Sequence, residues 1–245
     1  MSRRAIVLSF TVAQAVLGQA LQQQAGTRGG AEDASVLLAR ARDTVLSSTR
    51  RMPRYTCLET INREYYNQPL QKHGPRATTE AAAHLCSGNQ SARLSLDAED
   101  RLRVEVAEAA QGEIHSWPGE SHFDTRSIDE MIPLGPISTG SFGGYLQGLF
   151  GNSGAQVNFV GSKTDGFRNV FEYSFRVPRE ASTLRVKGQN IWKVTGTSGS
   201  FEIDAATTQL TKLVIETEPL SSDTGMCRAE TAMDYHSMLI GGGEY

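Results

Sequence analysis

Residues 189–219, with the sequence QNIWKVTGTSGSFEIDAATTQLTKLVIETEP, decide the fold of this chain. Phe201 and Ile203 share one face of an extended segment, whereas Glu202 and Asp204 point to the other face. The polar residues that follow Asp204 can hydrogen-bond their own backbone, which favours a tight reversal. The stretch predicts an antiparallel meander with one solvated face, built from three strands at residues 191–194, 200–204 and 210–216.

Several other segments alternate in the same way. Leu102, Val104 and Val106 fall on one face of a predicted strand, with charged residues between them. Aromatic residues and Thr, which favour strands, are frequent in the earlier segment at residues 54–66. The pattern therefore predicts further strands at residues 54–66, 100–107, 113–117, 157–160, 170–177 and 226–239.

Two segments have helical spacing instead. Residues 34–48 place Leu37, Leu38, Ala41 and Val45 on one face of a predicted helix. Residues 139–150 carry aromatic and aliphatic side chains at helical spacing despite four glycines, so packing against a sheet must hold this helix. Ser127 is a predicted cap for a further short helix.

The predicted fold is therefore α+β and mostly antiparallel β. We expect an open half-barrel sheet, with the N-terminal helix and one or two short helices covering its concave face.

The chain divides into three predicted parts. Residues 1–20 combine Arg3 and Arg4 with an apolar run and small residues near Ala20, which is typical of a cleaved signal peptide. Residues 21–33 are polar and rich in glycine, which predicts a flexible linker, and residues 34–245 form a single β-rich domain. We therefore expect an exported protein, periplasmic or extracellular.

The charge and the cysteine content limit which partners and which disulfides are expected. The formal net charge of −3, more negative once Arg3 and Arg4 are removed, opposes nucleic acid as a partner. Cys57, Cys86 and Cys227 allow three different single disulfides in an oxidising compartment. A bridge from Cys57 to Cys86 would enclose the polar segment between them, and the two bridges through Cys227 are equally open.

Six short motifs give the chain a resemblance to a group of secreted bacterial proteins of uncharacterised function. The likeness covers most of residues 52–241 and depends on the order of the motifs RYTCLETI (54–61), DRLRVEV (100–106), SWPG (116–119), TGSF (139–142), YSFRVP (173–178) and GSFEID (199–204). The strand, turn and strand around Asp204 and Leu210 are also similar to the lipoprotein-carrier fold, shared by periplasmic lipoprotein chaperones and envelope-stress sensors.

The second resemblance implies a half-barrel with an apolar cavity between its sheet and its helices. Two departures from that fold are visible: the sequence stops at Tyr245, where a further strand is expected, and Glu202 stands where an aromatic residue is expected.

An apolar pocket is the first candidate site. Its predicted lining consists of aromatic and aliphatic residues from the predicted strands and the glycine-rich helix, and the alternative is that they are ordinary core residues: Phe142, Tyr145, Phe171, Phe175, Phe201 and Ile215.

A polar cluster of His115, Ser116, His122 and Asp124 is the second candidate. The spacing of the two histidines does not match a helical zinc pair, and the sequence contains no GxSxG, SxxK or HExxH motif. We therefore predict exposed strand-end and loop histidines, with no catalytic residue, metal or cofactor.

These observations predict a binding protein rather than an enzyme. The first hypothesis is an exported half-barrel that carries or senses a lipid or a lipidated peptide in an apolar cavity. The second is a protein-interaction module of the cell envelope that has no ligand cavity. The third is a hydrolase that uses His115 or His122.

Overall fold

The computed structural model describes most of the chain from residue 23 onwards. The described residues are 23–52, 55–67, 95–109, 112–132, 137, 143–151, 154–187, 192–220, 224, 226–237, 239–240 and 243–244. The helices are α1 (Gln23–Arg51), α2 (Ile128–Met131) and α3 (Gly144–Phe150). The strands are β1 (Thr56–Asn67), β2 (Ser95–Ala109), β3 (Gly112–Ser116), β4 (Gln156–Asp165), β5 (Arg168–Val177), β6 (Arg185–Lys187), β7 (Trp192–Val194), β8 (Thr197–Asp204), β9 (Leu210–Thr217), β10 (Glu230–Asp234), β11 (Leu239–Ile240) and β12 (Gly243–Glu244).

The larger sheet has five antiparallel strands in the order β10-β9-β8-β5-β4. Strands β8 and β9 form the predicted hairpin, with Phe201 opposite Leu213. A carboxylate oxygen of Asp204 accepts hydrogen bonds from the backbone N–H groups of Ala206 (2.8 Å) and Thr207 (3.1 Å). The predicted tight reversal is thus confirmed, because the Asp side chain satisfies the turn backbone.

The predicted three-stranded meander is wrong in its first strand. Strand β7 pairs with β6 in a separate two-stranded sheet, and β5 takes the place beside β8. Register explains the exchange, because Tyr173 of β5 lies directly opposite Phe201 and the two rings stack with centroids 5.1 Å apart. Such an aromatic cross-strand pair stabilises a sheet more than the exposed face of β7 can.

The smaller sheet is antiparallel and has the order β1-β2-β3. Its long β1–β2 ladder pairs Cys57 with Val106 and Ile61 with Leu102, and β3 adds His115 opposite Val106. Helix α2 covers this face, where Ile128 and Met131 join Val104 and Val106 in a second apolar cluster. Ser127 stands at the N-cap of α2 as predicted, and its backbone N–H donates to Glu130 (3.0 Å).

The mostly antiparallel α+β class is therefore confirmed, and the sheets are open rather than closed into a barrel. Within the described residues, the five-stranded and three-stranded sheets share no strand ladder.

Helices α1 and α3 cover one face of the five-stranded sheet and enclose the main core. Ala34 and Ala41 are buried together with Leu37 and Val45, so the predicted helix face is confirmed. Tyr173 reaches this interface from the sheet, and its hydroxyl donates to the carbonyl oxygen of Ala34 (2.8 Å). Small alanine side chains allow the close approach that this hydrogen bond needs.

The N-terminal region differs from its prediction. Helix α1 begins at Gln23, so residues 23–33, predicted as a flexible linker, are helical. The composition of this segment does not explain the extension, because three of its residues are glycines, which disfavour a helix. The predicted signal peptide, residues 1–20, lies outside the described residues.

One disulfide prediction is corrected as well. Cys57 has a free thiol, so neither bridge that would use it is present. The side chain lies on β1 of the smaller sheet, opposite Val106, where it packs against the second apolar cluster. Cys86 lies outside the described residues, and its pairing with Cys227 stays a prediction.

Candidate functional site

A cavity of about 800 Å³ lies between the two main sheets. Thr49 and Met52 at the C-terminal end of α1, together with helix α3, form part of its lining. Glu108 and Trp192 also line the cavity and are themselves exposed, so it opens to solvent. Its volume falls in the range typical of sites for small molecules.

The five-stranded sheet and α3 give the cavity an apolar wall, which consists of Leu149, Phe175, Val177 and Ile215. Alternation along β5 places Phe175 and Val177 on the same face, and both are buried. Gly199 lies directly opposite Phe175, where a Cβ atom would come 3.0 Å from Cε1 of that ring and 1.9 Å from the Val214 carbonyl oxygen. Only glycine at this position leaves room for the aromatic ring beside the sheet.

Helix α3 covers the apolar wall. This agrees with the prediction that packing against a sheet holds this glycine-rich helix. A Cβ atom at Gly143, just before the helix, would lie 2.9 Å from Cγ2 of Thr49, so the helix start packs tightly against α1. Gly144 lines the cavity and has open space around the position of a Cβ atom. The described helix is shorter than predicted, and residues 138–142 lie outside the described residues.

Three of the six predicted pocket residues line this cavity: Tyr145, Phe175 and Ile215. Phe201 is instead a core residue with 0% exposure, packed edge-on against Phe150 at a centroid distance of 5.1 Å. Phe171 packs beside Phe159, 5.4 Å away between centroids, on the cross-strand neighbour β4. Phe142 lies outside the described residues. Sequence alternation identified the buried face but not where that face is left uncovered.

The smaller sheet and the start of α2 give the cavity a polar wall, which consists of Tyr55, Glu108, Glu113, His115, Ser127 and Asp129. Glu108 and Glu113 are directly opposite each other on β2 and β3, and His115 follows two residues after Glu113 on the same face. Burial, followed by the charges of Glu113 and Glu108, raises the pKa of Tyr55 well above its usual range.

His115 is the unusual member of the polar wall. Its side chain is only 3% exposed, and its ring nitrogens have no hydrogen-bond partner within the described part of the chain. Burial lowers the pKa of His115, so the imidazole is neutral at pH 7. The imidazole lines the cavity, where a ligand, a water or an ion can reach it.

The predicted polar cluster does not form one site. His115 was expected to be an exposed strand-end residue and is buried instead, because β3 pairs with β2 and turns this ring toward the cavity. His122 is on an exposed loop, where Nδ1 lies 3.1 Å from Oγ of Ser121. Asp124 forms an ion pair with Arg126 (2.6 Å), and hydrogen bonds from Arg126 lower the pKa of Asp124 to about 2.

The other residue of that cluster, Ser116, is buried on the opposite face of β3 from His115. No serine or cysteine side chain donates a hydrogen bond to His115 among the residues that the structure describes.

Sequence reasoning missed the carboxylates of the polar wall. A signal for them was available, because Glu108 continues the apolar face of β2 that runs through Val104 and Val106. A charged residue on the buried face of a strand indicates that the face leaves the core at that point.

Two further findings concern the described residues only. No group of three or more His, Cys, Asp or Glu side chains among them is arranged to hold a metal ion. No helix among them has both the length and the apolar character needed to cross a membrane. Comparison of the chain with protein-family models, with curated proteins and with solved structures gives no match.

Proposed function

We propose that this chain is an exported binding protein that holds a single-chain amphipathic lipid in the cavity between its two sheets. One observation carries the proposal: a cavity of about 800 Å³ has an apolar wall from one sheet and a polar wall from the other. An amphipathic ligand has both kinds of surface in one molecule. Export is part of the proposal because residues 1–20 have the composition of a signal peptide.

The energetics favour a hydrocarbon chain on the apolar wall. Each buried methylene contributes about 0.8 kcal/mol, so a chain of roughly ten methylenes gains about 8 kcal/mol. Association costs at least about 4 kcal/mol. The apolar wall alone therefore supports binding with a Kd of about 1 mM at best, and head-group contacts must supply any tighter affinity.

The test uses alkyl ligands with twelve carbons and the full chain, with binding measured by isothermal titration calorimetry below the critical micelle concentration. Gly144→Trp fills the cavity from a position with open space around its Cβ atom. We expect at least a tenfold loss of affinity, because the indole occupies the volume that the chain needs.

Gly161→Trp is the matched control, since Gly161 also has open space but does not line the cavity. It should leave binding unchanged. Absence of binding by every alkyl ligand to the unmodified protein would contradict the proposal.

A second candidate, a protein-interaction module, is favoured by one edge of the larger sheet. Strand β4 is an edge strand, and it exposes Phe159 and Val160 beside a hairpin tip that exposes Phe167. Exposed apolar edges are used for strand addition by partner chains. If this is the function, Phe159→Lys should abolish capture of a stoichiometric protein from periplasmic extract, and Gly144→Trp should not affect it.

A further inference from the structure

We propose that the polar wall selects a ligand whose chain ends in a protonated amine. This inference rests on the proposed function, because the hydrocarbon chain must first occupy the cavity. It goes further in naming the head group, which distinguishes a long-chain amine from a fatty acid, a fatty alcohol or a phospholipid.

The charge of the cavity lining is the first argument. Three carboxylates line the cavity, from Glu108, Glu113 and Asp129, against the single guanidinium of Arg185 among the described lining residues. Two of the three, Glu108 and Glu113, are directly opposite each other in the β2–β3 ladder, where like charges repel. A cation placed beside this pair is attracted by both, and an anionic head group is repelled by both.

The pKa of Tyr55 reflects the negative charge of the polar wall. The pKa of its phenol is raised by burial and then by the charges of Glu113 and Glu108, with smaller contributions from Cys57 and Glu59. The negative charges of Glu113 and Glu108 disfavour a phenolate and favour an ammonium group, whereas burial, the larger cause of the shift, penalises both ions. A carboxylate or phosphate placed here would carry the same penalty as the phenolate.

His115 is the second and independent argument. Its imidazole is 3% exposed, lines the cavity and has no hydrogen-bond partner within the described residues. A neutral imidazole has one ring nitrogen that accepts a hydrogen bond, and an ammonium group has N–H donors but no acceptor. The two groups are complementary, and the imidazole lines the cavity that would hold the amine.

The pairing also predicts a dependence on pH. An alkylamine is protonated throughout the range from pH 5 to 8, as lysine is. Protonation of His115 would remove its acceptor and place a second cation beside the ammonium group. The titratable and charged groups that line the cavity together with His115 are Tyr55, Glu108, Glu113, Asp129 and Arg185. Amine affinity should therefore fall as the pH is lowered from 7 to 5.

The experiment compares dodecylamine, dodecanol and dodecanoate, which share one chain length and differ in the head group. Calorimetry on the full chain at pH 7 should give at least tenfold tighter binding for dodecylamine than for dodecanol, and weaker binding for dodecanoate. If none of the three binds, the proposed function fails. If all three bind and the amine has no advantage, the head-group inference alone fails.

Variants test whether the polar wall causes the preference. Glu108→Gln removes one charge from an exposed position and should reduce dodecylamine affinity about fivefold more than dodecanol affinity. Glu99→Gln on the same strand, an exposed residue away from the cavity, should change neither. His115→Phe keeps a ring of similar shape without the acceptor, and it should lower amine affinity while dodecanol binding is kept or improved.

Two outcomes would overturn the inference. Equal losses of amine and alcohol binding in Glu108→Gln would mean that the carboxylate acts on the fold rather than on the head group. Dodecylamine binding that survives Gly144→Trp would mean that the amine binds the acidic surface of the protein rather than the cavity. Because Glu108 is exposed, its variant remains informative even if His115→Phe does not fold.

Discussion

The two sheets differ in whether a buried polar side chain has a hydrogen-bond partner. In the five-stranded sheet, Tyr173 is buried against α1 and its hydroxyl has a partner, the carbonyl oxygen of Ala34 at 2.8 Å. In the three-stranded sheet, His115 is equally buried, but its ring faces the cavity without a partner. A satisfied buried group belongs to the architecture, and an unsatisfied one beside a cavity indicates binding.

The surroundings of the two residues explain the difference. Tyr173 stacks on Phe201 and lies near Phe159, so aromatic rings fill the space around its hydroxyl. His115 belongs to the polar wall together with Glu108 and Glu113, and this part of the smaller sheet borders the cavity. The larger sheet therefore provides stability, whereas the smaller sheet provides the candidate site.

The largest expected effect is on the core of the larger sheet. Phe201→Ala removes a ring with 0% exposure that contacts Tyr173, Phe150 and Phe175, and should cost about 3–5 kcal/mol of unfolding free energy. Urea denaturation measures the change. Phe167→Ala, at an exposed turn, should alter stability by less than about 0.5 kcal/mol. Similar costs for the two variants would contradict the conclusion that Phe201 and its aromatic neighbours stabilise the larger sheet.

A smaller effect is expected from the hydrogen bond that joins the larger sheet to α1. Tyr173→Phe keeps the stacked ring and removes only the donor to Ala34, which should cost about 1 kcal/mol. Tyr66→Phe, which removes a hydroxyl that donates to Glu64 on the surface strand β1, is the control and should cost less. Equal stability of Tyr173→Phe and the unmodified protein would show that this buried hydrogen bond contributes nothing net.

The smallest expected effect is a change in the pH dependence of stability. Burial lowers the pKa of His115 in the folded state. As the pH falls, the unfolded chain therefore binds a proton at this histidine before the folded chain does. Folding stability is therefore lost as the pH falls below about 6.5, the ordinary value for histidine. His115→Phe should remove this part of the slope.

The measurement is a series of urea titrations between pH 5 and 7.5. His122→Phe serves as the control, since His122 lies on an exposed loop and should leave the slope unchanged. If stability depends on pH equally in His115→Phe and in the unmodified protein, the imidazole is hydrated in the folded protein. The contrast with Tyr173 would then disappear.

Much of the fold was predictable because periodicity records which face of an element is buried. The alternation around Phe201 and the helical spacing of Leu37, Ala41 and Val45 both predicted buried faces that the structure confirms. Strand pairing was less predictable, because β5 replaces β7 beside β8 through contacts between residues that are distant in sequence. The N-terminal extent of α1 was also missed, since the three glycines of that segment disfavour a helix.

Half of the predicted pocket residues line the cavity, and a related reason explains why the others do not. Phe175 and Phe201 have the same alternating pattern, yet one lines the cavity and the other is sealed in the core. Patterning distinguishes buried from exposed faces, whereas a cavity arises where two buried faces fail to meet. Glu108, which continues the strand face of Val104 and Val106, was a sequence signal for that gap.

The sequence by itself determined the fold class of the protein, since alternation, helical spacing and turn residues act over a few neighbouring positions. It also determined the acidic net charge, whereas the signal peptide at residues 1–20 stays a prediction. Only the tertiary structure decided that His115 lies buried beside a cavity and that Glu108 and Glu113 lie opposite each other. These placements depend on strand register and on how two sheets approach, and such long-range geometry is not recorded in any local pattern.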